Sequence, residues 1–343
     1  PEGNLFAAKI VSGHPNRRRA WGIAAAFKNT GLGGGAPDKA SAEVELYSDG
    51  TAQVRTSSAD MGQGLMTVLQ LIAAEELTLP PDKVHVLLSD TDLTPDGGPT
   101  TASRQTYVTG NAVRHASTVV LQAVRSTLAE RFDVPPATIQ FIEGLAHVDG
   151  KQIELAETIE IMKAAGQEPK ALYEYWAPET QPLGTGGDMH FAYSFAVQAA
   201  EIEVDLDTGE VQVRRVIAAN DVGRVINPLG LRGQIEGGVM MGLGTALTEE
   251  FIVEDGYVFT DHMARYRIPS IVQAPEIIPI VVEHPVSEGP YGAKGVGEIS
   301  SIPTTPAITN AINNACGIRV RSLPVDQDWL ALELAKAGGA NRE

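Results

Sequence analysis

The chain has 343 residues, 43% of them hydrophobic, with a formal net charge of −17 and a single cysteine. That length exceeds one ordinary domain and favours two subdomains, while the acidic excess repels nucleic-acid phosphates and anionic lipid and sets both aside as partners. No apolar run approaches the roughly 18 residues that cross a bilayer, and one thiol, Cys316, excludes an internal disulfide or a four-thiolate iron–sulfur cluster held by this chain alone. Pro1-Glu2-Gly3-Asn4 shows no basic stretch followed by an apolar one, so no secretory signal is expected and the cytoplasm is the default.

In chain order, residues 42–47 and 52–56 alternate apolar and polar side chains around Ser48-Asp49-Gly50, which predicts a hairpin with an Asp-Gly turn. A helix is expected over 64–77, a strand over 84–88 and a long helix over 111–131, where apolar residues recur at helical spacing. Short strands around Ile139 and Ala146 end this half. The second half repeats the opening with strands over 198–205 and 211–219, a turn at Thr208-Gly209, and a glycine-containing helix over 228–245. Each hairpin runs through an acidic residue, Asp60 or Asp221, towards a Gly-Gln pair, Gly62-Gln63 or Gly233-Gln234, which suggests duplication of a two-strand-then-helix unit. Between the halves lie a short helix, Pro178, Pro182 and Gly184-Thr185-Gly186-Gly187, so a boundary is expected between 1–177 and 178–343. Strand pairs separated by helices without regular βαβ alternation predict α+β packing.

Four segments carry the candidate chemistry. In Asp60-Met61-Gly62-Gln63-Gly64 the glycines leave the Gln63 amide unobstructed, and the helix start behind it would favour an anion such as a pyrophosphate; a helix start merely punctuated by glycines is the bland alternative. Thr100-Thr101-Ala102-Ser103-Arg104-Gln105, followed by Gly110-Asn111-Ala112-Val113, offers many donors to phosphate, or is a polar surface loop leading into a helix. In Gly233-Gln234-Ile235-Glu236-Gly237-Gly238 the last two glycines cost a helix about 1 kcal/mol each, which either close backbone packing or ligand approach would explain. Gly292-Ala293-Lys294-Gly295-Val296-Gly297-Glu298 delivers one carboxylate at the end of a loop with few side chains, or is a tight turn with a solvated Glu. A helix with Thr305 as N-cap and Pro306 as first residue is expected to follow and to end near Cys316-Gly317. Lys294 reads as solvated or phosphate-facing, and Cys316 as a buried small hydrophobe. The runs Tyr257-Val258-Phe259 and Tyr173-Glu174-Tyr175-Trp176 read as strand and core, and the seven histidines show no paired spacing for a metal.

Taken in this order, with the closing Cys316-Gly317-Ile318-Arg319-Val320-Arg321-Ser322-Leu323-Pro324, these segments resemble the second molybdenum-cofactor-binding domain of the xanthine dehydrogenase and aldehyde oxidoreductase family over residues 19–325. In organisation the chain is similar to the medium molybdopterin subunit of nicotinate dehydrogenase-type enzymes. The resemblance implies two α+β subdomains with molybdenum–molybdopterin, in its cytosine dinucleotide form, between them. It implies cofactor contacts from Gly62, Gln63, Gly64, Thr101, Ala102, Ser103, Arg104, Gln105, Gln234, Lys294, Gly295, Val296 and Gly297, and no protein ligand to the metal. The implied reaction adds a water-derived oxygen to an N-heteroaromatic or aldehyde carbon, with Glu298 as general base in a water-poor pocket.

The family's other half, with a glycine-rich loop containing Phe and Lys, has no counterpart here. The resemblance therefore implies a first-half molybdenum subunit as partner, with iron–sulfur clusters and FAD on further partner subunits. A separate subunit is favoured over a fragment because the lead before Arg19 reads as a chain start. The alternatives are a carbon monoxide dehydrogenase-like subunit and a non-catalytic assembly or binding paralogue, against which the retention of Glu298 argues.

Overall fold

The computed structural model describes residue 4 and residues 6–340, without the side chains of 338–340, so the reading of Pro1-Glu2-Gly3 lies outside it. Strands β1 (Lys9–Val11) and β2 (His14–Thr30) open the chain. β3 (Lys39–Leu46) and β4 (Ala52–Thr56) then form the predicted hairpin. Its alternation sends Ala42, Val44 and Leu46 into the core while Arg55 bridges Glu43 and Glu45 on the other face. α1 (Leu65–Leu77), β5 (Val84–Leu88) and α2 (Gly110–Phe132) fall within a residue of their predicted places. α2 buries Val113, Val120, Val124 and Leu128 completely, a helical stripe in which each aliphatic contributes about 1.5–3 kcal/mol. β6 (Gln140–Ile142), β7 (Leu145–Val148) and β8 (Lys151–Glu154) make a small sheet with one strand more than predicted, and α3 (Leu155–Ala164) and β9 (Lys170–Trp176) follow.

The rest of the chain forms β10 (Ala192–Asp205), β11 (Val211–Asp221) and α4 (Pro228–Leu247). Pro228 begins α4, and the Asn227 side chain accepts from the Gly230 N–H at 3.0 Å. Short β12 (Val253–Glu254), β13 (Tyr257–Val258) and α5 (Met263–Tyr266) precede β14 (Glu276–Val282), α6 (Thr304–Cys316) and α7 (Gln327–Ala340). Tyr257, Val258 and Phe259 are exposed, contrary to the core expected for them.

The two main sheets share one topology. In the order β5-β4-β3-β9, the hairpin β3–β4 pairs with β5 in parallel and with β9 antiparallel. In the order β14-β11-β10-β2-β1, the hairpin β10–β11 pairs with β14 in parallel and with β2 antiparallel. Each hairpin leads through a helix to the parallel strand and then to a second helix, so the repeat seen in the sequence extends over the whole unit.

The flanking strand breaks the symmetry and corrects the predicted boundary. In the first unit it is β9, which follows the hairpin; in the second it is β2, from near the start of the chain, registered on β10 from Ala192↔Thr30 to Asp205↔Arg17. No single cut at 177/178 separates the sheets, because residues 9–30 belong to the second one. α6 crosses β2 so closely that a Cβ on Gly22 would lie 2.2 Å from the Ala307 carbonyl oxygen. Among the described residues no helix is long and apolar enough to cross a membrane.

Candidate functional site

Four loops leave the ends of the parallel strand pairs β4/β5 and β11/β14 and lead into α1, α2, α4 and α6. The two units bring these loops together around a cleft of about 350 Å³, lined by residues 100–106, 224–227 and 293–298 with Gln63, Gly64, Val222 and Gln234. Segments far apart in the sequence thus meet because each occupies an equivalent place in a repeated unit.

Glu298 lies on the β14–α6 loop and faces the β5–α2 loop. The Ser103 hydroxyl donates to Glu298 Oε2 at 2.8 Å and accepts from the Glu298 N–H at 3.2 Å, and Lys28 Nζ on β2 lies 3.1 Å from the same carboxylate oxygen. Gly295 sets the approach of the loops, since a Cβ there would lie 2.1 Å from the Ser103 carbonyl oxygen. Ala102 and Ser103 both hold positive φ, 51° and 50°, a conformation that costs a non-glycine residue about 1–2 kcal/mol. A hydrogen bond from the Gly31 N–H to the Ala102 carbonyl, 2.9 Å, helps to hold that turn. The Glu298 side chain is 48% exposed, so the water-poor pocket expected around it is open on one side within this chain.

Several predicted contacts have other duties. Arg104 is fully buried: Nε donates to Asp38 at 2.6 Å, Nη1 to the Gly97 and Pro99 carbonyls, and Nη2 to that of Lys39. Gln105 is spent likewise, donating to the Pro99 carbonyl and Thr100 and accepting from Ser58. These two side chains brace the loop on which they sit, and within this chain the Arg104 guanidinium is taken up by four protein partners. Lys294 is buried rather than solvated, with Nζ 2.7 Å from Asp221.

Gln63 folds back on its own loop, donating to the Ala59 carbonyl at 2.9 Å and accepting from the Met61 N–H at 2.5 Å. The start of α1 already holds an anion of the protein's own. The Asp60 carboxylate accepts from the N–H groups of Gly62, Gly64 and Met66. Burial would raise the Asp60 carboxyl, yet N–H donors from Met66, Gly62, Gly64 and Leu65 bring it below the ordinary range.

The two glycines of α4 resolve differently. A Cβ on Gly238 would lie 2.1 Å from the Ser300 hydroxyl, so close packing explains it, whereas Gly237 has no neighbour within 4 Å. Gln234 lies in the second turn of α4. α6 starts at Thr304, one residue before the predicted cap, because the Thr305 hydroxyl donates across to the Gly242 carbonyl instead. Cys316 is half-buried, with its thiol pushed up by burial.

The first unit also grips the segment leading to Glu298. Asn111 donates to the Glu288 carbonyl at 2.7 Å, and Tyr291 donates to Glu76, which Arg114 also holds. Burial raises the Tyr291 hydroxyl above its ordinary range, so it remains a donor to Glu76. Lys28, Asp38 and Glu76 were missed in the sequence, where a lone charged residue on a strand or helix has no local signature of its partner.

The cleft suits a large anionic group built mainly from neutral donors. Gly64 and Gly297 border it without side chains, and a Cβ on Gly64 would meet nothing within 4 Å. The Thr101 and Thr106 hydroxyls and the Gln234 amide line it and make no side-chain hydrogen bond among the described residues. Arg104 and Lys294 are already neutralised by Asp38 and Asp221.

Residues 6–275 match the molybdopterin cofactor-binding domain family, and the chain belongs to it. Over 84% of its length it is 36% identical to the 6-hydroxypseudooxynicotine dehydrogenase complex subunit gamma of Paenarthrobacter nicotinovorans, of which it spans 36%. Over 90% of its length it is 34% identical to the aldehyde oxidoreductase molybdenum-binding subunit PaoC of Escherichia coli, of which it spans 40%. The chain therefore covers well under half of either relative. Among solved structures, the aldehyde oxidoreductase from Desulfovibrio desulfuricans superposes with a TM-score of 0.78 at 32% identity, over 92% of this chain and 32% of that one. Quinoline 2-oxidoreductase from Pseudomonas putida superposes with a TM-score of 0.81 at 26% identity, over 94% of this chain and 42% of that one.

Proposed function

We propose that this chain is the molybdenum-cofactor-binding part of a cytoplasmic hydroxylase that adds a water-derived oxygen to an N-heteroaromatic or aldehyde carbon and passes two electrons to iron–sulfur and flavin partners. One observation carries the reading: the carboxylate of Glu298 stands at the meeting point of all four loops, held by Ser103 from the opposite unit. The names of the relatives, which include an aldehyde oxidoreductase and a quinoline oxidoreductase, support that class of substrate.

Molybdenum–molybdopterin, in its cytosine dinucleotide form on this reading, would supply the two-electron redox chemistry and the activation of water. Gly62 to Gly64, Thr101 to Ser103, Gln234 and the backbone of Lys294 to Gly297 would border it, while Arg104 and Gln105 keep the loop in shape. Glu298 would accept the proton of the attacking water. Ser103 and Lys28 fix its orientation, and such positioning matters because a general base must lie within hydrogen-bond reach of the proton it takes. The exposed side of Glu298 calls for a further polypeptide to exclude water.

Glu298→Gln tests this in the assembled, molybdenum-loaded enzyme. Turnover should fall about 10²- to 10⁴-fold with metal content unchanged. Near-normal turnover at full loading would overturn the assignment.

A further inference from the structure

The sheet of the second unit has one covered face and one bare one. On the covered face Ala20, Ala196, Ala200 and Ala218 are buried beneath α4 and α6. On the other face the strand register lines up three successive rows across β2, β10, β11 and β14. The row nearest the cleft is Phe27, Phe195, Asp221 and Val282; the next is Ala25, Val197, Ala219 and Ile280. The third is Ile23, Ala199, Ile217 and Ile278, and only the fourth turns polar, with Glu201, Arg215 and Glu276. Seven of the large apolar members are exposed, from 37% at Ile278 to 67% at Phe27, and Ile217 is half-buried. Four strands at about 4.8 Å spacing and three rows at about 6.8 Å give a patch of roughly 400 Å², the size of the largest patch a monomer typically leaves bare, which is often functional.

This patch is continuous with the cleft. Asp221 in its first row binds Lys294 of the Glu298 loop at 2.7 Å, and Lys294 Nζ lies 5.9 Å from the centre of the Phe195 ring. The geometry points to a docking surface for the remainder of the molybdenum-binding polypeptide that the relatives carry, seated on these three rows and reaching over the cleft edge. The inference rests on the proposed function for its choice of occupant. The relatives are more than twice the length matched here, the cleft is open beside Glu298, and eleven of the twelve positions in the three rows are uncharged, which suits an apolar protein layer rather than an ionic ligand.

The test is assembly of the chain with that remainder supplied as a separate polypeptide, followed by size-exclusion chromatography and titration. Val197→Asp with Ile280→Asp places two charges in the second row and should weaken assembly at least about a hundredfold. Ile142→Asp, an equally exposed aliphatic on β6, should assemble like the unaltered chain. Should the aspartate pair melt below the unaltered chain, Val197→Ser with Ile280→Ser decides, with an expected loss of about tenfold. Unchanged assembly in a folded pair overturns the proposal, as does an unaltered chain that already dimerises through this face and is made monomeric by the same substitutions. Molybdenum content and turnover of the unaltered assembly are read separately: their absence would defeat the proposed function, while assembly alone decides the docking surface.

Discussion

Arg104→Met separates a structural role from a cofactor-contacting one. The guanidinium is fully buried, its partner Asp38 has a side chain 3% exposed, and four hydrogen bonds run from Arg104 to Asp38 and to the carbonyls of Gly97, Pro99 and Lys39. Removing the cation leaves a carboxylate in the core with, among the described residues, only the Leu32 N–H as donor, at 2.8 Å. Breaking one side of such a buried pair costs about 3–5 kcal/mol. At about 2–4 °C per kcal/mol for a large domain, the thermal midpoint should fall by roughly 6–20 °C, followed by far-ultraviolet circular dichroism on the isolated chain. Adding Asp38→Asn removes the unpaired charge and should recover part of the loss. An Arg104→Met chain that melts within about 1 °C of the unaltered one but loses its molybdenum would refute the argument and return Arg104 to the phosphates.

Two further outcomes follow from the loops. Gly295→Ala would put a methyl 2.1 Å from the Ser103 carbonyl oxygen, so the facing loops must part at a cost of about 1–3 kcal/mol, with a lower melting point and less molybdenum retained per chain. Normal stability and loading in that variant would show that the loops have slack. Asp60→Asn removes the charge at the start of α1 and should cost about 0.3–1 kcal/mol at neutral pH. Because the folded-state carboxyl is depressed, this contribution is complete above the ordinary Asp range and is lost as pH falls through the folded value. Urea titrations of the two forms should therefore converge in acid; a gap that widened there would contradict the sign.

Much of the chain was legible locally. Alternation around Asp49-Gly50, helical spacing over α2, and the proline and asparagine that start α4 all act within a few residues, so the sequence specifies them without reference to the fold. The repeat was visible because both hairpins pass through an acidic residue towards a Gly-Gln pair. Glu298 was singled out because glycines isolate it, and the family resemblance supplied its role.

What stayed hidden depends on partners far away along the chain. β14, with Pro279 inside it, gives no clear strand signal alone and becomes a strand by pairing with β11. β2 begins with His14, Pro15, Asn16 and three arginines, and its membership of the second sheet is decided by pairing with a strand more than 160 residues later. The fates of Arg104 and Lys294 were equally out of reach. A cation in a glycine-rich loop can meet a phosphate or a carboxylate, and only the folded chain brings Asp38 to the one and Asp221 to the other, satisfying each buried charge before any ligand arrives.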